Sequence, residues 1–309
     1  MLFSRLGRWF FLAELIGNFQ LQIGIVGLSL PLILWARGAR RTAWATFVVS
    51  LVTLVNPLWS FVPYRTAQLP NPGQSVRLMS FNLLAANRDE QAIRAAIERD
   101  DLDVLLFVEY TPFMENIRRD LMERFPHQII ESRYHGFGIA LFSKFPILKQ
   151  NVQYLTVGPL EKPSEPPYFV KDDPYIDTTL DVYGQTLRIV GVHFFNPTEY
   201  SRFAERTRQF QKLIDVANQQ RGSPLVVMGD FNCTPWSPFF MELQKKTSLR
   251  DSRQGFGYLG TWPASGDFLS IPIDHILISD DIQVAQRTVL PAAGSDHYPI
   301  YSEIVIVKD

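Results

Sequence analysis

Two long stretches without a charged side chain, both in the first quarter of the sequence, restrict what this chain can fold into. Residues 15–36 form a run of 22 residues without Asp, Glu, Lys or Arg, and residues 42–64 form a run of 23. At about 1.5 Å per residue, either run could cross the roughly 30 Å hydrocarbon layer as a helix. Core helices of soluble proteins seldom extend this far without a polar face. We therefore predict two transmembrane helices rather than two helices of a soluble core.

A short basic turn, residues 37–41, joins the two stretches and contains three arginines. This arrangement predicts a helical hairpin, and Trp44 and Trp59 near the ends of the second stretch are typical interface anchors. A cleaved signal peptide fits less well, because no small-residue cleavage site follows the first stretch and a second apolar stretch comes next. Basic loops favour the cytoplasm. The predicted orientation therefore places the turn inside the cell and the rest of the chain outside.

The composition changes sharply after the hairpin. Residues 66–74 contain Pro70, Pro72 and Gly73, which is typical of an extended linker between an anchor at residues 1–65 and a domain at residues 75–309. Residues 75–309 have 24 basic and 30 acidic side chains once the six arginines and one acid of residues 1–74 are subtracted from the totals of 30 and 31. This balance does not indicate a generally basic nucleic-acid binder. The single cysteine, Cys233, excludes a disulfide framework and a Cys-based zinc site.

The large domain alternates apolar runs with amphipathic segments. Many strands with helices between them favour two packed sheets flanked by helices, which is a layered α/β architecture. The patterns predict strands at residues 75–83, 103–109, 128–131, 138–143, 152–157, 175–182, 186–193, 225–229, 273–278, 283–289 and 298–307, and helices at residues 88–99, 112–125, 199–220 and 238–245.

Polar side chains are concentrated where the apolar strands end, and a scaffold holds catalytic groups rigidly at such positions. Three of the five histidines fall in these clusters. The clusters are Ser80-Phe81-Asn82, Phe107-Val108-Glu109, Gly191-Val192-His193, Gly229-Asp230-Phe231-Asn232, Ile273-Asp274-His275 and Ser295-Asp296-His297.

The residue types in these clusters suit the hydrolysis of a phosphoester. Glu109 offers the hard oxygen donors that Mg²⁺ and Mn²⁺ prefer, and Asp230 can orient water or accept its proton. Asn82 and Asn232 can donate hydrogen bonds to phosphate oxygens without adding negative charge. The sequence contains no G-x-S-x-G elbow and no glycine spacing of the P-loop or dinucleotide-binding type. The pattern therefore predicts a metal-assisted attack of water on phosphorus.

The histidines add positive charge to this set. Protonated His193 and His297 can stabilise negative charge that develops on a phosphoryl group. An aspartate beside a histidine raises the imidazole pKa and fixes the tautomer. We interpret His275 as a filler of the sheet and Arg206 as a packing or salt-bridge residue.

These segments, taken in order, resemble the endonuclease/exonuclease/phosphatase superfamily. The match is carried by S-F-N-L-L, L-L-F-V-E, G-V-H-F, G-D-F-N, I-D-H-I and S-D-H-Y-P and extends over residues 75–309. The resemblance implies a DNase I-like, four-layer α/β/β/α sandwich with its site at one end of the two sheets. The N-terminal hairpin resembles a bacterial membrane-bound branch, which implies a two-pass protein of the inner membrane. The basic turn, as argued above, predicts an extracytoplasmic catalytic domain.

The resemblance also implies a role for each residue that matches a motif. The metal ligands would be Glu109 as the principal ligand, Asn82 beside it and Asp296, and the ion would be Mg²⁺ or Mn²⁺. Asp230 would activate or orient the water molecule.

Other matching residues would act on the phosphate. Asn232 and His193 would contact phosphate or leaving-group oxygens, and Thr261 would touch a phosphate. His297 would act either as a base or as a phosphate-stabilising acid, and Asp274 would orient it.

The predicted function is that of a membrane-anchored, Mg²⁺-dependent phosphoester hydrolase. Its substrate is left open between a lipid, a small phosphoester and a nucleic acid, and no protein partner is predicted. A DNA or RNA nuclease of the same superfamily is the first alternative. A non-catalytic, membrane-bound interaction module is the second, and such a module would be expected to lose Glu109 or Asp230, whereas this chain has both.

Overall fold

The computed structural model describes residues 7–63, 75–98, 101–134, 136–155, 173–219, 222–264, 266 and 268–307. The predicted linker at residues 66–74 lies outside these ranges, as do the last two residues of the strand predicted at 152–157.

The described strands agree closely with the apolar runs of the sequence. In chain order they are β1 (Ser75–Asn82), β2 (Val104–Val108), β3 (His127–Glu131), β4 (Ile139–Ser143), β5 (Ile147–Lys149), β6 (Val152–Tyr154), β7 (Pro174–Val182), β8 (Gln185–His193), β9 (Leu225–Asp230), β10 (Arg250–Asp251), β11 (Asp274–Ile278), β12 (Ile282–Val289) and β13 (Ile300–Ile306).

The described helices fall into an N-terminal group and a group that covers the sheets. The first group is α1 (Phe11–Gly17), α2 (Gln20–Gly27), α3 (Leu30–Ala36) and α4 (Arg40–Trp59), and the second is α5 (Glu90–Ile97), α6 (Glu115–Leu121), α7 (Tyr200–Asn218) and α8 (Pro238–Thr247).

The strands form two sheets, each with one parallel pair of strands at its centre. The first sheet has the order β12-β13-β1-β2-β4-β3, and the second has the order β10-β11-β9-β8-β7-β5 with β6 also paired to β7. The pairs β1–β2 and β8–β9 are parallel, and the other pairs are antiparallel. Because parallel strands end at the same edge, each sheet brings two strand ends together there.

Three separate apolar cores define four layers. Leu78 of β1, Leu106 of β2 and Ile189 of β8 belong to the core between the two sheets. A second core joins the outer face of the first sheet to α5 and α6, and a third joins the outer face of the second sheet to α7 and α8. The predicted α/β fold with two packed sheets and flanking helices is therefore confirmed.

Short or irregular elements account for the differences from the predicted pattern. The helix predicted at 112–125 starts as a 3-10 turn at Pro112–Met114, and α6 ends at Leu121. Neither β5 nor β10 was predicted, because segments of three and two residues are too short to show an alternation.

The N-terminal helices contain a bend that the sequence pattern did not predict. The helix axis turns by 68° between Phe11–Gly17 and Gln20–Ala36. Among the described residues, α4 is long and apolar enough to cross a membrane, and the bent pair passes the same test if it is counted as one span. Exposed apolar side chains cover α4, including Val48, Val49 and Val52.

Candidate active site

The ends of four central strands converge at one edge of the sandwich. Asn82 ends β1 and Glu109 directly follows β2, while His193 and Asp230 end β8 and β9 as paired positions. The Asn82 side chain connects the two sheets, because its Nδ2 donates to Glu109 Oε1 at 3.2 Å and to Asp230 Oδ2 at 3.1 Å. Side chains from both sheets therefore meet in one site, as the superfamily resemblance implied.

Two glycines of the predicted motifs allow this convergence for steric reasons. A Cβ added to Gly191 would lie 2.5 Å from Leu106 Cδ1 of the opposite sheet, so the buried Leu106 side chain would have to move. Gly229 has a φ of +141°, and its Cβ would lie 1.8 Å from the carbonyl oxygen of Val192. The glycines before His193 and Asp230 thus set the position of both polar side chains.

Asp230 lies at the centre of the site and is almost completely buried. Its Oδ1 accepts a hydrogen bond of 2.8 Å from the backbone N–H of Asn232. Burial and the nearby Asp274 carboxylate raise the pKa of Asp230 to about 6, although His297 and His193 oppose this shift. A carboxylate with such a pKa is well suited to accept a proton near neutral pH.

His297 and Asp274 form a buried pair beside Asp230. His297 Nδ1 lies 2.9 Å from Asp274 Oδ2, and His297 Nε2 lies 3.8 Å from Asp230 Oδ2. Burial alone would lower the imidazole pKa, but the carboxylates of Asp274 and Asp230 outweigh it and raise the pKa of His297 to about 10. Burial likewise acts to raise the pKa of Asp274, yet its contacts with His297 and Thr261 lower it overall. The pair is therefore an imidazolium with its counter-ion at neutral pH.

Asn232 is held against Asp230 by a left-handed backbone. Its φ is 48°, a conformation that Asn tolerates better than most residues. Its Nδ2 donates to the carbonyl oxygen of Phe194 at 2.8 Å and lies 3.3 Å from Asp230 Oδ2. The predicted phosphate contact is thus placed next to the predicted water-activating group.

His193 faces the same carboxylate from the second sheet. Its Nε2 lies 3.7 Å from Asp230 Oδ2, and its ring stacks on Phe137 with the ring centroids 5.3 Å apart. Its Nδ1 is buried and has no hydrogen-bond partner within the described part of the chain. His193 itself is one of the residues that line the cleft.

Two of the predicted residues lie at the margin of the site. The Asp296 side chain is exposed, and its Oδ2 accepts a hydrogen bond of 3.0 Å from the Trp262 indole nitrogen. Thr261 is fully buried, and its Oγ1 accepts hydrogen bonds from the backbone N–H groups of Ile273 and Asp274. Thr261 therefore fixes the start of β11 and the position of Asp274, and its hydroxyl is already used by the backbone.

The donor set is compatible with a divalent cation. Possible ligand atoms of Asp230, Asp274 and His297 lie within 4.8 Å of one another. Because His297 Nδ1 is hydrogen-bonded to Asp274, this trio is better described as an oriented proton-transfer group than as a complete ligand shell. Glu109 is only half-buried and offers hard carboxylate oxygens beside Asn82. Glu109 with Asp230 therefore fits the oxygen chemistry of Mg²⁺ or Mn²⁺.

The N-terminal helices contribute to the site, which sequence reasoning missed. A cleft of about 530 Å³ contains Glu109, His193, Asp230, Asn232, Asp296 and His297, and its wall also includes Leu15, Asn18 and Phe19. Arg206 of α7 is completely buried and pairs with Glu14 at 2.7 Å, which agrees with the predicted salt-bridge role of Arg206. The sequence feature that could have revealed this contact is Glu14, because a lone acid at the start of an apolar segment requires a partner when it is buried.

Comparisons with known proteins agree with this geometry. The model of the endonuclease/exonuclease/phosphatase family matches residues 79–297. Comparison with curated proteins found no match.

Solved structures share the fold at low sequence identity. An endonuclease/exonuclease/phosphatase family protein from Bacteroides thetaiotaomicron is 20% identical, with a TM-score of 0.58 over 79% of this chain and 100% of that chain. The human Nocturnin catalytic domain with bound sulfate anion is 19% identical, with a TM-score of 0.56 over 76% of this chain and 95% of that one. A mannosyl-6-phosphatase from Bacteroides thetaiotaomicron is 20% identical, with a TM-score of 0.55 over 75% of this chain and 100% of the other.

The family model covers more than half of the chain, and the convergent strand ends place its motifs around one carboxylate. The chain therefore belongs to the endonuclease/exonuclease/phosphatase family, a superfamily of phosphoester hydrolases.

Proposed function

We propose that this protein is a membrane-anchored, Mg²⁺-dependent phosphoester hydrolase. The observation that carries the proposal is the environment of Asp230, a buried carboxylate that Asn82, His193, Asn232 and His297 surround at one end of a cleft. A base, an imidazolium and amide donors are the groups that water attack on a phosphoester requires. The alternative of a non-catalytic module offers no reason to keep this set.

Asp230 would act on the attacking water. Its carboxylate accepts the proton of the water molecule as the oxygen forms a bond to phosphorus, and the bond to the leaving oxygen then breaks. Backbone and side-chain donors from Asn232 and Asn82 hold the carboxylate in one orientation. Such fixed positioning favours reaction because little reorganisation is needed in the transition state.

His297 would stabilise the charge that develops on the phosphoryl oxygens. Asp274 keeps the imidazole protonated and oriented, so Nε2–H points into the site beside Asp230. Asn232 and His193 would bind phosphate oxygens from the side of the second sheet. A divalent ion at Glu109, when bound, would add positive charge that polarises a phosphoryl oxygen.

We further propose that residues 1–65 form the membrane anchor and residues 75–309 the catalytic domain. The exposed apolar surface of α4 and the basic turn before it support this organisation. The same turn favours an extracytoplasmic catalytic domain in a bacterial inner membrane. Two reporter enzymes are fused after residue 309, one active only outside the cytoplasm and one active only inside it. We expect the first fusion to be active. Activity of only the second fusion would contradict the orientation.

The catalytic proposal is tested with the full chain in detergent and bis-p-nitrophenyl phosphate as the substrate. We expect hydrolysis with Mg²⁺, its loss with EDTA, and its recovery when Mg²⁺ is added back. Asp230→Asn and His297→Ala should each lower kcat by about a hundredfold or more. The exposed substitution Tyr183→Phe, on the turn between β7 and β8, serves as the control. Activity that survives EDTA or both site substitutions would refute the mechanism.

A further inference from the structure

The first helix among the described residues, α1, forms part of the wall of the catalytic cleft. Leu15 of α1 and Phe19, in the bend after it, line the same cleft as Asp230 and His297. A tether that only held the enzyme at a membrane would have no need to reach the catalytic groups. The position of these two apolar side chains therefore bears on what the cleft binds.

Hydrogen bonds and a buried ion pair fix this wall to the catalytic sandwich. Glu14 pairs with Arg206, and the Asn18 Oδ1 accepts a hydrogen bond of 3.0 Å from the Thr234 hydroxyl. The Trp236 indole nitrogen donates to the Gly17 carbonyl at 2.7 Å. Because these contacts lie on both sides of Leu15 in the sequence, they hold the apolar wall of the cleft in a fixed position.

The apolar character continues from the cleft to the exposed surface of the hairpin. Gln22 of α2 donates a hydrogen bond of 2.9 Å to the carbonyl of Phe268, and Phe268 and Leu269 are both 55% exposed. Beyond them, α2 and α3 expose Val26 and Leu32. Exposed apolar side chains are thus present on the helices that follow α1 and on the loop that Gln22 contacts.

The charge of the cleft argues against a polyanionic substrate. Arg202 is the single Lys or Arg side chain among the described residues that line the cleft, whereas three acidic side chains, Glu109, Asp230 and Asp296, line it too. A nucleic acid would require several Lys or Arg side chains along its backbone path, because phosphate contacts dominate affinity. An isolated phosphoester with an apolar substituent needs no such groove.

We propose that the substrate is a phosphoester of a bilayer lipid, whose phosphate reaches Asp230 and His297 while its hydrocarbon part lies against Leu15 and Phe19. The proposal rests on the phosphoester hydrolase function proposed above. The hairpin then has two roles: it holds the enzyme in the membrane and supplies the apolar part of the substrate site.

The test uses the full chain in detergent micelles with Mg²⁺ and a series of p-nitrophenyl alkyl phosphates whose alkyl group is methyl, hexyl or dodecyl. Water attack on phosphorus releases p-nitrophenolate from each ester, so one absorbance assay serves the whole series. A methylene that leaves water on binding contributes about a fourfold gain in affinity. Burial of two methylenes is therefore enough for a gain of more than about tenfold. We expect kcat/KM to rise by at least that factor from the methyl to the dodecyl ester.

Variants separate binding in the cleft from simple partition of long esters into micelles. Leu15→Asn and Phe19→Asn should reduce the dodecyl-to-methyl ratio of kcat/KM several-fold relative to the wild type. Leu12→Asn is the matched control, because Leu12 lies on the same helix but is 59% exposed and is not part of the cleft wall. It should retain the wild-type ratio.

The results distinguish failure of the two proposals. A flat chain-length series in the wild type, or the same ratio in all variants, would overturn the lipid proposal while the hydrolase function stands. A higher kcat/KM for a single-stranded oligonucleotide than for the dodecyl ester would also overturn it. Absence of hydrolysis of every ester would refute the hydrolase function itself. The wild-type series is decisive even if a variant does not fold.

Discussion

At the scale of single residues, the site combines backbone strain with buried charge. Glu109 and Asn232 both have positive φ values, 56° and 48°, although neither is a glycine. Such conformations cost about 1–3 kcal/mol each and persist where the surrounding structure enforces them. The hydrogen bond from the backbone N–H of Ala85 to Glu109 and the bonds around Asn232 provide that enforcement. Both strained residues point polar side chains at the site.

The Asp274 carboxylate should act through His297 rather than on the substrate. In Asp274→Asn, the imidazole loses the charge that keeps its pKa high, so the basic limb of the pH–rate profile should move to lower pH. We expect kcat to fall by about a hundredfold. Asp280→Asn, an exposed position after β11, is the control. An unchanged profile in Asp274→Asn would contradict the positioning role.

The buried His275 should make the protein less stable in acid. Burial lowers its pKa from 6.5 to about 4, and its Nε2–H donates a hydrogen bond of 2.8 Å to the carbonyl oxygen of Cys233. Between pH 6.5 and about pH 4, the unfolded chain binds a proton at His275 that the folded chain does not bind. The contribution of neutral His275 to the free energy of unfolding is therefore complete above pH 6.5 and is lost as the pH falls toward 4. The loss is about 3 kcal/mol in free energy of unfolding.

Thermal unfolding in EDTA, measured between neutral pH and about pH 4, tests this prediction on metal-free protein. His275→Leu should show a smaller fall of its midpoint with pH than the wild type, although its midpoint at neutral pH is lower. Phe240→Leu removes packing against the same ring, whose centroid lies 4.6 Å away, without removing a titrating group. It should keep the wild-type pH dependence, and equal slopes in all three proteins would count against the prediction.

At the scale of elements, α1 is joined to the sandwich by charge as well as by packing. Glu14 and Arg206 are both buried, and Arg206 Nη1 also donates to the carbonyl oxygen of Asn232. A buried ion pair stabilises a fold weakly relative to an apolar pair, but loss of one partner leaves an uncompensated charge. The pair therefore fixes the position of α1 on α7 and connects α1 to the backbone of Asn232 in the site.

Substitution of either partner should destabilise the chain strongly. Arg206→Met leaves the Glu14 carboxylate buried without a cation and should lower the free energy of unfolding by about 3–5 kcal/mol. Glu14→Gln combined with Arg206→Met should recover part of that loss. Lys246→Met, in an exposed pair with Glu242 on α8, should cost about 1 kcal/mol or less. Thermal unfolding in detergent measures the wild type and these three variants, and a double variant no more stable than Arg206→Met would contradict the pairing.

At the scale of the whole molecule, the N-terminal helices and the sandwich contact each other where the cleft opens. Soluble proteins rarely expose as much apolar surface as α4 and the bent helices do, which agrees with the membrane anchor proposed above. In the proposed membrane position, the cleft would lie near the lipid surface.

Insertion of α4 should fail when its centre carries a charge. Val52 is 44% exposed, and an arginine there should cost about 2.5–3.5 kcal/mol in the hydrocarbon layer. We expect the wild type to stay in the membrane pellet after an alkaline carbonate wash and Val52→Arg to move largely to the supernatant. Tyr183→Arg, which places the same charge on the exposed turn of the sandwich, should remain in the pellet. Release of both variants, or of neither, would argue against α4 as the anchor.

The periodicity and motif order were sufficient to predict the layered fold, most strand bounds and a set of polar side chains that the structure brings close together. Apolar runs such as Val104–Val108 are local signals, since a strand buried on both faces must be continuously apolar. The position of Asn82, Glu109, His193 and Asp230 at strand ends was also predicted from the pattern, and the family resemblance implied that these ends share one edge.

Tertiary structure decided the contacts that depend on side chains distant in sequence. Glu14 and Arg206 are separated by 192 positions, and no periodicity connects them. The bend after α1, the entry of Leu15 and Phe19 into the cleft, and the use of the Thr261 hydroxyl by the backbone likewise depend on packing. The amino-acid sequence alone determined the strands and the polar side chains at their ends, because residue type and strand period are local. Which helix completes the cleft was set by long-range packing and charge pairing.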